Sequence, residues 1–171
     1  RNAMTIPREL NLKSLGDELY VTSNPLSTLW QQSKVMMTDS VSITSGKKYT
    51  VNLPIPSVMG LSIKKEATFS ITLSNSLGES VVIGYDKSKK QYYIDRRKSG
   101  KTKFQTDFAA IHTAPRFSKS DEINLTIVID VSSVELFADD GLTVMTEIFF
   151  PTKPYNKIQL QSPEKLIGQI D

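Results

Sequence analysis

The 171-residue chain contains no cysteine, one histidine and one tryptophan. The first absence excludes disulfides, thiolate metal sites and a cysteine nucleophile. A lone His112 excludes any metal site built on several histidines. No window approaches the roughly 20 apolar residues that a membrane-spanning helix needs. Missing too are a G-x-S-x-G elbow, a glycine-rich phosphate loop and an EF-hand loop, with the chemistry each carries. What is present is 39% hydrophobic and 23% charged residues, which suits one packed domain with at most a short attached segment.

Period-2 alternation is the dominant pattern. Tyr49, Val51 and Leu53 form one set, then Ala67, Phe69, Ile71 and Leu73, then Val81, Ile83 and Tyr85, then Tyr92 and Ile94. Leu125, Ile127 and Ile129 follow, then Val134 and Leu136, then Val144, Thr146, Ile148 and Phe150, then Ile158 and Leu160. Side chains on a strand point to opposite faces in turn, so each set predicts one buried face. Turn chemistry separates the sets at Asn75-Ser76-Leu77-Gly78, at Asp86-Lys87-Ser88-Lys89-Lys90 and at Asp139-Asp140-Gly141. The fold class predicted is all-β, an antiparallel two-sheet sandwich, with a core including Val51, Phe69, Ile71, Ile83, Ile127, Ile129, Val134 and Ile148. A short helix fits only at residues 25–32. Leu10, Leu12, Leu19 and Val21 suggest a small hairpin around Gly16-Asp17, ahead of a break at Asn24-Pro25.

Charge is unevenly spread. Residues 86–103 hold eight of the 21 basic residues and two of the 18 acidic ones, a local +6, while the rest of the chain is net −3. Lys87, Lys89, Lys90, Arg96, Arg97, Lys98, Lys101 and Lys103 interleave with Tyr92 and Tyr93. Such a pattern suits single-stranded nucleic acid. It equally describes lysine-rich turns that keep a sheet edge from pairing, and the second reading is the one adopted here. Glu135, Asp139 and Asp140 form the densest carboxylate cluster. Their pattern reads as a solvated turn beside an outward-facing strand glutamate rather than as an acid–base pair. His112, flanked by Thr113 and Pro115, reads as a surface loop residue. Trp30 is either a packed anchor beside Leu26 and Leu29 or an exposed ring on which a sugar stacks. Tyr92 and Tyr93 are weaker candidates for the same role. Asn124-Leu125-Thr126 is a glycosylation sequon, meaningful only in a eukaryotic secretory pathway.

Asp130-Val131-Ser132-Ser133-Val134-Glu135-Leu136-Phe137 with Asp139-Asp140-Gly141 resembles the "DxSSVEVF…NDG" signature of the C-terminal sandwich of glycoside hydrolase family 32, the levanases, inulinases and invertases. Gly84-Tyr85-Asp86, Ile94-Asp95-Arg96, Ser99-Gly100, Phe104, Phe108 and Ala114-Pro115 are similar to that family's "YD…IDR..SG…F…F…AP" run. Pro7-Arg8-Glu9-Leu10-Asn11-Leu12 resembles the "PREL.L" segment that leads from its catalytic domain into the linker. The strand Thr146-Glu147-Ile148-Phe149-Phe150-Pro151 agrees as well. Arg97 departs from the small or hydroxyl residue common after "DR".

The resemblance implies a β-sandwich module that packs on and supports a five-bladed catalytic propeller. Asp95, Arg96, Ser99, Gly100, Asp130, Ser133, Glu135, Asp140 and Gly141 then serve as structural signature positions. The family's catalytic motifs, of "WMNDPNG", "RDP" and "EC" type, do not occur here, so no catalytic residue is assigned, and no metal or cofactor is expected. The parent would hydrolyse fructosyl bonds by a retaining, two-carboxylate mechanism and be secreted or periplasmic. Residues 1–23 are expected to be a tag remnant (Arg1-Asn2-Ala3 before Met4) and a linker or edge hairpin, and residues 24–171 the module. An apolar patch near Leu10, Leu12, Trp30 and Tyr20 would face the propeller, or a second copy in a homodimer of the isolated module. A carbohydrate is a further possible partner; nucleic acid and membrane are not expected.

Overall fold

The computed structural model describes residues 4–171, so the tag remnant expected at residues 1–3 lies outside the described residues. In chain order the elements are β1 (Arg8–Leu15), β2 (Glu18–Pro25), α1 (Thr28–Gln32), β3 (Asp39–Ile43), β4 (Lys48–Asn52), β5 (Ser57–Ile63), β6 (Phe69–Ser74), β7 (Ser80–Asp86), β8 (Gln91–Lys98), β9 (Ile111–Pro115), β10 (Ile123–Ile129), β11 (Ser133–Ala138), β12 (Thr143–Ile148), β13 (Lys157–Gln161) and β14 (Leu166–Ile170). β1 and β2 form a separate hairpin. One six-stranded sheet runs β12-β11-β10-β5-β14-β3, and a second runs β4-β13-β6-β7-β8-β9. The pairings within both are antiparallel, and one core fills the space between them, giving the predicted sandwich.

The alternation explains the inner faces. Phe69, Ile71 and Leu73 meet Ile83 and Tyr85 from one sheet, and Ile127, Ile129, Val134 and Leu136 face them from the other. Of the expected core, Val51 is only partly buried, because β4 lies at a sheet edge. Ile148 is a correction: it is exposed, and β12 has the opposite parity to the one its sequence suggests. Met145 and Glu147 point inward with Phe149 just beyond the strand, while Thr146, Ile148 and Phe150 point out. Apolar residues occupy both faces of this edge strand, so hydrophobicity does not decide its orientation. The buried Glu147 is made possible by Arg96, whose Nη1 lies 3.1 Å from its Oε2.

Strands β3, β5, β9 and β14 have no counterpart in the alternation read from sequence. β5 and β14 are interrupted by Gly60 and Gly168, and β9 has a mostly exposed, mixed surface. Gly168 is required where it stands, since a Cβ there would overlap the Ser62 carbonyl oxygen of the neighbouring strand. His112 lies on β9 rather than in a loop, a second correction. β8, the strand those lysine-rich turns flank, sits between β7 and β9, so it is not a sheet edge as expected; β9 is the edge.

Candidate functional site

The hairpin and the surface it rests on bring most of the signature residues together. In β1 and β2, Lys13 pairs with Tyr20 and Asn11 with Thr22 on the face turned to the sandwich. Leu10, Leu12, Leu19 and Val21 therefore share the other face. All four are more than 60% exposed, so an apolar patch faces away from the protein's own core. Tyr20 does not belong to it, contrary to expectation: its ring packs on Phe117 with centroids 5.1 Å apart. Trp30 stands apart from it as well, half-exposed on α1 beside a separate groove.

Polar bonds from five residues hold the hairpin and the segment before it down. Arg8 donates to Glu135 Oε2 and, at 2.9 Å, to Thr146 Oγ1; its guanidinium lies 5.0 Å from the centre of the Phe137 ring. The Ile6 amide donates to Glu135 Oε1 at 2.9 Å. Lys13 reaches Asp140 at 3.1 Å, the Asn24 amide donates to the Asp140 carbonyl at 2.9 Å, and the Ser23 amide donates to the Gly141 carbonyl at 3.0 Å. Glu135 does face away from the core as predicted, yet it is buried, because the hairpin covers it. The sequence reading of a solvated glutamate missed that cover. Its signal was Arg8, whose positive charge sits in the segment resembling "PREL.L".

Asp139 is the second correction in that cluster. It is buried, and it belongs to a charged network under the end of the sandwich. Arg116, with a side chain 1% exposed, holds Asp139 through Nε at 2.8 Å and Nη2 at 3.2 Å and reaches Glu66 through Nη1 at 3.1 Å. Tyr92 donates to Asp139 at 2.7 Å, Tyr85 donates to Glu66, and Lys90 closes the network on Glu66 at 2.6 Å. Burial alone would raise the Glu66 carboxyl's pKa, but the bonds from Lys90 and Tyr85 and the nearby cations outweigh it and hold it below the ordinary value. Burial and the adjacent carboxylates push both phenols well above theirs. Desolvation disfavours the Arg116 cation, and the bonds and charge of Asp139 reverse that. Tyr92 is thus a core residue with no face for a sugar. Sequence reading passed over Arg116 and Glu66; a charged residue directly after Ala114-Pro115 was the available hint.

The remaining signature positions make contacts within the chain. Arg96 spans the open edge between the sheets: it bonds Glu147, donates to the Ile148 carbonyl at 3.1 Å and stacks 4.0 Å over the Phe108 ring. Exposed His112 engages the same Glu147 through Nδ1. Asp95 forms a two-pronged pair with Arg97, so Arg97 has its own partner despite departing from the family pattern. Ser99 is buried and its carbonyl accepts from Tyr155 at 2.9 Å. Gly100 has φ +113° and lies against the Phe150 carbonyl, where no Cβ fits. Asp130 and Ser133 close the β10–β11 turn through a 2.9 Å backbone bond. Tyr93 is half-buried over Gly84. In the basic segment, Lys89, Lys90, Arg96 and Arg97 are paired with carboxylates of the same molecule, which reduces the field left for an anionic partner.

Against known proteins, residues 18–168 match the family described as "Glycosyl hydrolases family 32 C terminal". The chain belongs to this family. An extracellular exo-inulinase of Aspergillus niger is 32% identical over 167 residues, covering 89% of this chain and 30% of that protein. A levanase of Bacillus subtilis is 29% identical over 172 residues, covering 94% and 25% respectively. The crystal structure of an exo-inulinase from Aspergillus awamori superposes with a TM-score of 0.87 at 28% identity, over 99% of this chain and 35% of that one. The chain thus spans about a third or less of the length of these relatives. As a family 32 C-terminal module it has the sandwich that its signature residues imply, and those residues tie loops, edges and hairpin together.

Proposed function

We propose that the chain is the non-catalytic C-terminal module of a β-fructofuranosidase acting on fructan or sucrose, and that its hairpin docks an upstream five-bladed catalytic propeller. The observation that carries this is the orientation of the hairpin. Its polar face is bonded to the sandwich, while Leu10, Leu12, Leu19 and Val21 are presented outward as a contiguous apolar surface. A monomer gains nothing from leaving such a patch in water; a covering domain does. Interfaces between domains of one chain bury about 600–1,500 Å². In this reading residues 1–23 are the linking segment and 24–171 the module proper. The parent supplies the two catalytic carboxylates, needs no cofactor, and is exported, in keeping with the extracellular exo-inulinase among the relatives. The buried carboxylates here are each held by an arginine, as structural anions are, rather than set opposite one another across a pocket.

The test is to co-express this chain with its parent's propeller as a separate polypeptide. The two should co-purify, and a Leu12→Lys, Val21→Lys variant should lose the propeller while keeping its own melting temperature within a few degrees. This chain alone should release no fructose from sucrose, levan or inulin. A module that dimerises through the hairpin face should return to monomer as propeller is added. Failure to associate, or association untouched by the two lysines, would refute the docking role.

A further inference from the structure

We infer that the outer face of the first sheet carries a binding groove for an uncharged oligosaccharide, with Trp30 as its stacking wall. The groove, about 400 Å³, is lined by Trp30, Gly60, Ser62, Asn124, Thr126 and Asp171, with Phe137 and Asp140 closing its other side. Strand register creates its floor. Asn124 stands opposite Ser62 in the lining, and the polar row continues beyond the groove through Gln169 to Ser40. One row further, Thr126 faces Gly60, and the Asp171 side chain stands 3.6 Å from where a Gly60 Cβ would be.

The chemistry of the lining selects the ligand class. Half-exposed Trp30 offers a flat apolar face that suits the C–H face of a sugar ring. Asn, Ser and Thr side chains both donate and accept, which matches hydroxyl groups. The carboxylates Asp140 and Asp171 are part of the lining and disfavour phosphate, sulfate or any polyanion. An extended peptide gains affinity by adding a strand at an open edge, but β5 and β10 are central strands whose backbone groups are already paired on both sides. The volume lies in the usual range for a small-molecule site. This inference does not rest on the docking role: the groove borders the hairpin's seat at Asn24, Asp140 and Gly141, but none of Leu10, Leu12, Leu19 and Val21 lines it, and a module that binds no propeller can still bind saccharide.

Trp30 is the single tryptophan, so intrinsic tryptophan fluorescence reports on this groove alone. Bacterially expressed protein is used, because Asn124 is the acceptor of the sequon and a glycan there would fill the site. The chain is titrated with a β-2,1-linked fructotetraose, a short β-2,6-linked levan oligosaccharide, cellotetraose and a sulfated disaccharide. A saturable emission change with at least one neutral probe, and none with the sulfated one, is expected. An Asn124→Ala, Ser62→Ala variant should weaken that binding about tenfold, the loss of two hydrogen bonds, with its melting curve unchanged. No saturable change with any neutral probe, equal response to the sulfated probe, or unaltered affinity in the double variant would each overturn the assignment. The co-purification assay is independent, so either proposal can fail without the other.

Discussion

Gly141→Ala probes the seat of the hairpin, and Gly78→Ala is its control. Both glycines have positive φ, +73° and +77°, so alanine at either position meets the same backbone penalty of about 1–2 kcal/mol, offset by about 0.4–1 kcal/mol from a less flexible unfolded chain. Gly78 has open space around it, so that difference, under about 1.5 kcal/mol, is the whole effect. At Gly141 a Cβ would overlap the Ser23 carbonyl oxygen and stand 2.7 Å from both the Ser23 carbonyl carbon and Asn24 Oδ1. β2 must lift, which breaks the Ser23–Gly141 bond and strains the Asn24–Asp140 bond, at about 1 kcal/mol each. The expected total is about 2–3 kcal/mol, or a melting temperature lower by very roughly 4–12 °C. Thermal denaturation measures the loss, and limited proteolysis shows whether cleavage moves into the hairpin in the Gly141 variant alone. Equal losses for the two variants, with the same protease pattern, would show that the hairpin is not seated on this turn.

The charged network yields two further expectations. Arg116→Met leaves Asp139 and Glu66 buried without their shared cation and should cost about 3–5 kcal/mol in urea denaturation, with Arg116→Lys recovering only part because it lacks the two-pronged geometry. Stability should also fall at both pH extremes. Glu66 is held below its ordinary 4.5, so its contribution is complete above that value and drains away as pH falls through the lower folded one. Tyr92 is held above its ordinary 10.0, so its contribution is complete below pH 10 and is lost as pH rises beyond it. Melting temperatures measured across pH should show both limbs; an alkaline limb unchanged in Tyr92→Phe would refute the assignment of that limb to Tyr92.

Sandwich architecture was legible because β6, β7, β10 and β11 alternate cleanly, and the hairpin because Gly16-Asp17 separates two matched apolar pairs. β12 was not legible, because Ile148 and Phe150 are as apolar as Met145 and Phe149, and only Arg96, distant in sequence, explains why Glu147 is the one turned inward. The signature pattern located Glu135 and Asp140-Gly141 but not their purpose. Burial of Glu135 depends on Arg8, 127 residues away, and burial of Asp139 on Arg116 and Tyr92 from the opposite sheet. Local reading assigns such carboxylates to solvent by default. The groove at Trp30 was half legible: the exposed ring was anticipated, whereas the row Asn124–Ser62–Gln169 exists only through strand register.

The order of strands also sets a timetable for synthesis. β14 is inserted between β5 and β3, and β13 between β6 and β4. β13 and β14 follow every other strand of the two sheets in chain order and are interior members of them, and β3 and β4 have no lateral partner in either sheet until those strands arrive. Through most of translation the sides of β5 and β6 stand open as templates for any passing strand. The hairpin's landing surface on β11 and β12 is emitted earlier than either closing strand, so the hairpin can be moored before the sheets are complete. Loss of β14 would strand β3, whose one lateral partner it is, and would bare the side of β5.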